Sequence, residues 1–257
     1  IPNRRTFEYY RIVNGLMVML YGYFLKLVIA DRISVVVDYV FNQYYCLGAF
    51  ELIIGAIGFA IQIYCDFGSY SLIAIGAAQV LGFTLMENFN TPYFAISIKD
   101  FWRRWHISLS TWFRDYLYIP LGGNKCGKMR KYLNIMITFL VSGLWHGAEW
   151  TYVIWGGIHG IYQVIGDLIM PIKKRVNAIL KVKTDCQSYK FGQVFVTFGL
   201  TTFAWIFFRA DNLTQALIYI KRIVTRFDPW VLFNGNLYTI GLERYEANVL
   251  IVSIIVL

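Results

Sequence analysis

Three side chains in this sequence can exchange a proton near neutral pH, and all are histidines: His106, His146 and His159. His146 closes an uncharged run that begins at Tyr132 (YLNIMITFLVSGLWHGAEW). An ionisable group at bilayer depth is costly, so a functional role is the default expectation for it. Gly143 and Gly147 bracket Leu144-Trp145-His146, where they permit a close backbone approach or a helix break lining a cavity. A desolvated imidazole stays neutral and able to accept a proton. That suits a general base acting on a hydroxyl as it attacks an acyl group. The residues alone leave a second role open, a hydrogen bond across helices. His159 lies in the sequence Trp155-Gly-Gly-Ile-His-Gly160, about 20 Å from His146 along an unbroken helix. Without a sharp bend after His146 the two cannot share a site, so His159 reads as packing or support. Three histidines without carboxylates at ligand spacing predict no metal site. The sequence has no glycine-rich phosphate loop and no Gly-x-Ser-x-Gly elbow, which argues against nucleotide hydrolysis and a serine esterase.

His106 must be positioned by the segment 99–117 (KDFWRRWHISLSTWFRDYL), which carries too many charges to cross a membrane. On a helix at about 100° per residue, Phe101, Trp112, Trp105, Tyr116, Leu109, Trp102 and Phe113 fall in one arc roughly 120° wide. Arg103, Ser110 and Arg114 flank one side of it, and Arg104, Thr111 and Asp115 the other. The pattern predicts an amphipathic helix in the interface, with rings inward and guanidinium groups toward headgroups or an anionic ligand. His106 falls on the border, beside Ser110, facing a wet cavity. A turn follows at Pro120-Leu-Gly-Gly-Asn124. Residues 212–227 predict a second surface helix after an N-cap at Asp211, with Gln215, Arg222 and Arg226 on a solvated face.

These helices sit in a chain of 257 residues that is 58% apolar, 18% aromatic and only 15% charged. Soluble domains carry about 25% charged residues, so lipid is the expected solvent. Apolar runs at 12–30 (interrupted by Lys26), 49–65, 70–86, 132–147, 152–170 and 191–208 are the candidate spans. The shorter run 33–45, with Asp38 inside it, reads as re-entrant or interfacial. The net charge of +9 sits in blocks between the runs: Arg4/Arg5/Arg11, 99–131, 173–190 and 209–226. That is a positive-inside pattern, placing the blocks on the cytoplasmic side and arguing against nucleic acid as a partner. Cys46, Cys65, Cys126 and Cys186 have no disulfide or metal spacing. The expectation is an all-α polytopic transmembrane bundle with interfacial amphipathic helices. No repeat appears, so residues 1–257 read as one domain, cut from a longer protein at both ends.

Several motifs together are recognisable: Glu87-Asn-Phe-Asn-Thr-Pro-Tyr93, Phe101-Trp-Arg-Arg-Trp-His-Ile-Ser-Leu-Ser-Thr-Trp112, Arg114-Asp-Tyr-Leu-Tyr-Ile-Pro-Leu-Gly-Gly-Asn124 and Ser142-Gly-Leu-Trp-His-Gly147. They resemble the membrane-bound O-acyltransferase family, within it most nearly the alginate O-acetyltransferases and their peptidoglycan- and cellulose-acetylating relatives. Tyr64-Cys-Asp-Phe-Gly-Ser-Tyr70 and Phe203-Ala-Trp-Ile-Phe-Phe-Arg209 resemble segments of the same branch. The resemblance implies a ring of helices around a central tunnel in a bacterial plasma membrane. A cytoplasmic acyl thioester, acetyl-CoA or a carrier-protein thioester, would be co-substrate, with no bound cofactor. It implies His146 as the catalytic histidine and His106 as its partner at the cytoplasmic approach. Arg103, Arg104, Trp105, Ser110, Arg114, Asn124 and Trp145 are candidates for holding the donor or lining the tunnel, and Trp102, Trp105, Trp145 and Trp150 for excluding water. An extracytoplasmic acetyltransferase and polysaccharide machinery are the implied partners. Two other readings stand beside this one: D-alanyl transfer in teichoic acid synthesis, and a non-enzymatic transporter or polymer-export subunit with His146 as a proton relay.

Overall fold

The computed structural model describes residues 7–235 and 240–257; Arg4 and Arg5 of the first basic block lie outside them. Among the described residues every regular element is helical. The chain divides into two compact units, Ile1–Glu87 with Leu217–Leu257, and Asn88–Ala216.

In the first unit, α1 (Tyr9–Phe24), a π-helical turn (Leu25–Ala30) and α2 (Asp31–Asn42) form one helical rod of 34 residues. It packs antiparallel on α3 (Ala49–Val80), with Gly15 against Gly76 and Gly22 against Ser69 and Ile73. Small residues let the two backbones approach, as helix pairs in membranes require. Two expectations are corrected here. Residues 33–42 are not a separate re-entrant segment but continue the first span, and the run 49–65 joins 70–80 in one 32-residue helix. The reason is charge pairing. Lys26, in the π turn, reaches Asp66 of α3 at 2.5 Å and Asp31 at 2.9 Å, so the charges that interrupt the apolar runs neutralise one another. Helix α3 stops at Val80 rather than 86 because Gly82 turns left-handed (φ 83°), with Phe83 N–H on the Ala78 carbonyl and Gly82 N–H on that of Gln79.

A lone charge in the middle of a spanning helix costs about 2.5–3.5 kcal/mol. Lys26→Met, which takes the cation from both Asp31 and Asp66, is therefore expected to lower the thermal unfolding midpoint in detergent more than the triple variant Lys26→Met/Asp31→Asn/Asp66→Asn does.

Helix α9 (Leu213–Thr225) crosses the boundary between the units, and α10 (Arg244–Val256) belongs to the first. Of the predicted solvated face of this helix, Arg226 is exposed, but Gln215 and Arg222 turn to the protein. Gln215 is buried, with its carbonyl oxygen accepting from the Asp211 N–H, and Asn212, not Asp211, caps the helix through the Gln215 N–H. Arg222 donates twice to the Leu47 carbonyl, at 3.0 and 2.8 Å.

The second unit contains α4 (Ile98–Arg104), α5 (Ile107–Phe113), a π turn (Arg114–Tyr118), α6 (Lys128–His146), α7 (Trp150–Ile179) and α8 (Gln187–Arg209). Helices α6 and α7 form an antiparallel hairpin whose contact is glycine: Gly143 lies on the Tyr152 carbonyl and Gly156 on that of Phe139. Four helical stretches are long and apolar enough to cross a membrane: Tyr9–Asn42, Ala49–Val80, Trp150–Ile179 and Gln187–Arg209. The run 132–147 is not among them. It lies in α6, whose first turn holds Lys128, Arg130 and Lys131.

Candidate active site

His146 is the last residue of α6. Gly147 leaves the helix with extended backbone, and α7 starts again at Trp150. The imidazole is held edge-on by Trp145 (5.0 Å between ring centres), Trp155 (5.2 Å) and Phe208 (5.3 Å), so α6, α7 and α8 all position it. The bend after His146 also changes the place of His159. Its ring lies 5.2 Å from Trp155, so both histidines pack on the same indole, where an unbroken helix would have kept them apart. His159 is 0% exposed. It is enclosed by Phe101, Trp102, Phe139 and Tyr162, and its Nδ1 accepts a hydrogen bond from Trp102 Nε1–H at 3.2 Å.

His106 is not carried on a continuous helix. The predicted span 99–117 breaks at Trp105 (extended) and His106 (φ 43°, ψ 57°, left-handed), then resumes as α5 and ends in the π turn. A single 100° wheel therefore does not describe its faces. The break is held from the preceding loop, because the Asn88 side chain accepts from Ser108 N–H (3.2 Å) and Ser108 Oγ–H (2.6 Å), and its carbonyl accepts from Ile107 N–H. Phe101 and Trp105 stack at 5.5 Å in the core on the other side. Strained left-handed backbone of this kind persists only where its surroundings impose it. Ser108 Oγ also stands 3.4 Å from His106 Nδ1.

Burial lowers the His106 pKa to about 4, with the nearby charge of His146 pushing the same way. The folded value lies below the unfolded one of about 6.5, so the unfolded chain binds the proton more readily. Stability is therefore lost as pH falls from about 6.5 toward 4, and His106 is neutral at pH 7. His106→Asn is expected to flatten the acid side of the unfolding-midpoint profile over that window relative to wild type.

Beside these residues lies a cavity of about 280 Å³ between α4, α5, α6 and α7. Arg103, Ser110, Arg114 and Asn124 line it, together with the aromatic wall of Trp102, Phe113 and Phe139. Three candidates, Arg104, Trp105 and Trp145, do not. Arg104 is committed to Asp100 (3.0 Å) and Thr91 (3.3 Å), and Trp105, 4% exposed, is packed against Phe89 and Trp205. Trp145 touches His146 but is 59% exposed, and Trp150 is exposed as well. Of the four tryptophans named for excluding water, Trp102 packs on a histidine, His159, inside the protein, and Trp155, Trp205, Phe139 and Phe208 complete the enclosure. Sequence reading also missed Lys131 and Asp167, which pair on the cavity wall across 36 residues of chain. No local spacing could have joined them. Asn88 lay inside a recognised motif, yet its role as the clamp on His106 depends on a contact 20 residues away. Buried Asn134 donates to the carbonyls of Leu121 (3.1 Å) and Gly123 (3.3 Å), fixing the predicted turn that presents Asn124.

Comparison with known proteins agrees with the motifs. The family described as MBOAT, membrane-bound O-acyltransferase, matches residues 6–210. The chain is 42% identical over 215 residues to a probable alginate O-acetylase AlgI of Pseudomonas syringae pv. tomato, covering 83% of this chain and 39% of the relative. It is 38% identical over 256 residues to the corresponding protein of Pseudomonas aeruginosa, covering 99% of this chain and 46% of that one. A peptidoglycan O-acetyltransferase of Helicobacter pylori is 37% identical over 222 residues, covering 86% and 41% respectively. The chain thus spans less than half the length of these relatives. With four membrane-capable helices it is part of a multi-pass membrane protein. The chain belongs to the membrane-bound O-acyltransferase family.

Proposed function

We propose that the protein containing this chain transfers an acetyl group from a cytoplasmic thioester, acetyl-CoA or a carrier-protein thioester, to hydroxyls of a cell-surface polysaccharide, directly or through a partner acetyltransferase. The observation that carries this reading is the histidine pair. His146 stands at a helix end against three aromatic rings, and His106 stands at a strained break within its electrostatic reach. Both adjoin a basic and aromatic cavity: Ser142, one turn before His146, and Ser110, whose N–H donates to the His106 carbonyl, lie in its wall.

In this reading the acceptor hydroxyl gives its proton to His146 as its oxygen attacks the thioester carbonyl. The carbon–sulfur bond then breaks, and the proton returns from the imidazolium to the departing thiolate. His106, neutral at pH 7, adds no positive charge beside the imidazolium that forms. Arg103 and Arg114 face the donor's anionic portion, and Ser110 and Asn124 its polar groups, with Arg114 also chelated by Asp115. The aromatic walls keep water from the thioester. The setting is a bacterial plasma membrane, supported by the relatives' printed roles in alginate and peptidoglycan acetylation.

The test is mass analysis of surface polymers from cells with and without the gene, paired with labelled acetyl-CoA supplied to membranes. Loss of O-acetyl groups and of polymer label in the deletion is the expected result. An unchanged acetyl content overturns the reading, and loss of D-alanyl esters instead would assign the alternative reaction.

A further inference from the structure

The aromatic box behind His146 holds two hydrogen-bond donors that none of the described residues satisfies. Trp102 donates into His159 Nδ1, so the ring has a lone pair there and carries its proton on Nε2. That Nε2 is buried with no hydrogen-bond partner among the described residues, and so is Trp155 Nε1. A buried donor left unpaired loses its bond to water without replacement, and folded proteins rarely tolerate it. An imidazole Nε2–H and an indole N–H can only donate, so the group that completes them must accept. The rings around His159 (Phe101, Trp102, Phe139, Trp155) carry no charge to balance an anion. Trp155 is the bridge, 5.2 Å from the His159 ring and 5.2 Å from that of His146.

We propose that this box binds an uncharged oxygen acceptor on the N–H groups of His159 and Trp155. Two sources share that chemistry: a resident water molecule, and the carbonyl oxygen of the acyl donor. The second rests on the acyl-transfer reading above; the first does not. A water fits an enclosed site with at least two polar partners. A carbonyl would gain most as negative charge develops on its oxygen in the transition state.

The indole N–H of Trp155 reports the occupant directly. Its ultraviolet resonance Raman signature is obtained in the full-length protein as the difference between wild type and Trp155→Phe. Benzothienylalanine at position 155 keeps the ring shape but replaces the N–H by sulfur, and serves as the second reference if Trp155→Phe misfolds. A hydrogen-bonded indole before any donor is added identifies the water. A free indole that becomes bonded on adding acetyl-CoA identifies the carbonyl, and the benzothienylalanine variant then loses about 10²-fold in kcat with little change in KM. A free N–H under both conditions, as when it faces a neighbouring ring, overturns the proposal. The donor-free measurement is independent of acyl transfer, so a bonded indole in a protein that transfers no acetyl would sink only the functional reading.

Discussion

His146→Ala is expected to lower acetyl transfer to polymer about 10²–10⁴-fold, the range a positioned general base contributes, with the donor's KM changed only a few-fold. The reason is where the side chain stands. It touches Trp145, Trp155 and Phe208 but lines no wall of the basic cavity, so its loss removes the proton acceptor without removing donor contacts. Truncation also leaves a gap among those rings, so the unfolding midpoint must be measured on the same preparation. Wild-type acetylation by a stably folded His146→Ala protein would refute the assignment. His106→Ala separates the roles of the pair. If His106 tunes or orients rather than accepts the proton, its loss costs less than that of His146, and the acid limb of the pH–rate profile moves.

The second large effect is structural. Gly143 and Gly156 face each other across the α6–α7 hairpin, with the Gly143 Cα only 3.2 Å from where a Cβ on Gly156 would sit. That Cβ would also run into the Phe139 carbonyl, and one on Gly143 into the Tyr152 carbonyl. Both obstacles are backbone, so no side chain can swing aside. Gly156→Val is expected to destabilise the protein by about 3 kcal/mol or more, the upper end for overpacking, and Gly143→Ala by about 1–3 kcal/mol. Because the same hairpin fixes the bend after His146, both variants should lose activity along with stability, read as a lower unfolding midpoint and lower kcat. Gly166→Ala is the control. It lies on α7 with nothing within 4 Å of its added Cβ, and should change neither.

Much of this protein was legible in its residues. Helical class, the apolar runs of α7 and α8 and the turn at 120–124 follow from hydropathy and glycine–proline chemistry, which are local properties. The family follows from long motifs rich in tryptophan, histidine and arginine. Local rules failed where a distant partner changed the cost of a residue. Lys26 reads as an interruption and 49–65 and 70–86 as separate runs, yet the contact between the first two spans pairs Lys26 with Asp66 and leaves both helices continuous. The 99–117 segment read as one amphipathic helix, yet the Asn88 clamp and the burial of Phe101 and Trp105 outweigh its helical propensity and break it at His106. His159 read as remote from His146 because a straight helix separates residues 13 apart; the turn at Gly147 brought both onto Trp155. The sequence by itself determined which residues could do chemistry and that the chain folds as membrane helices, because side-chain type and hydrophobic length are carried residue by residue. Only the tertiary structure decided which histidines meet, which arginines face the cavity and which donors are left unpaired, because those depend on contacts between segments whose spacing along the chain carries no record of them.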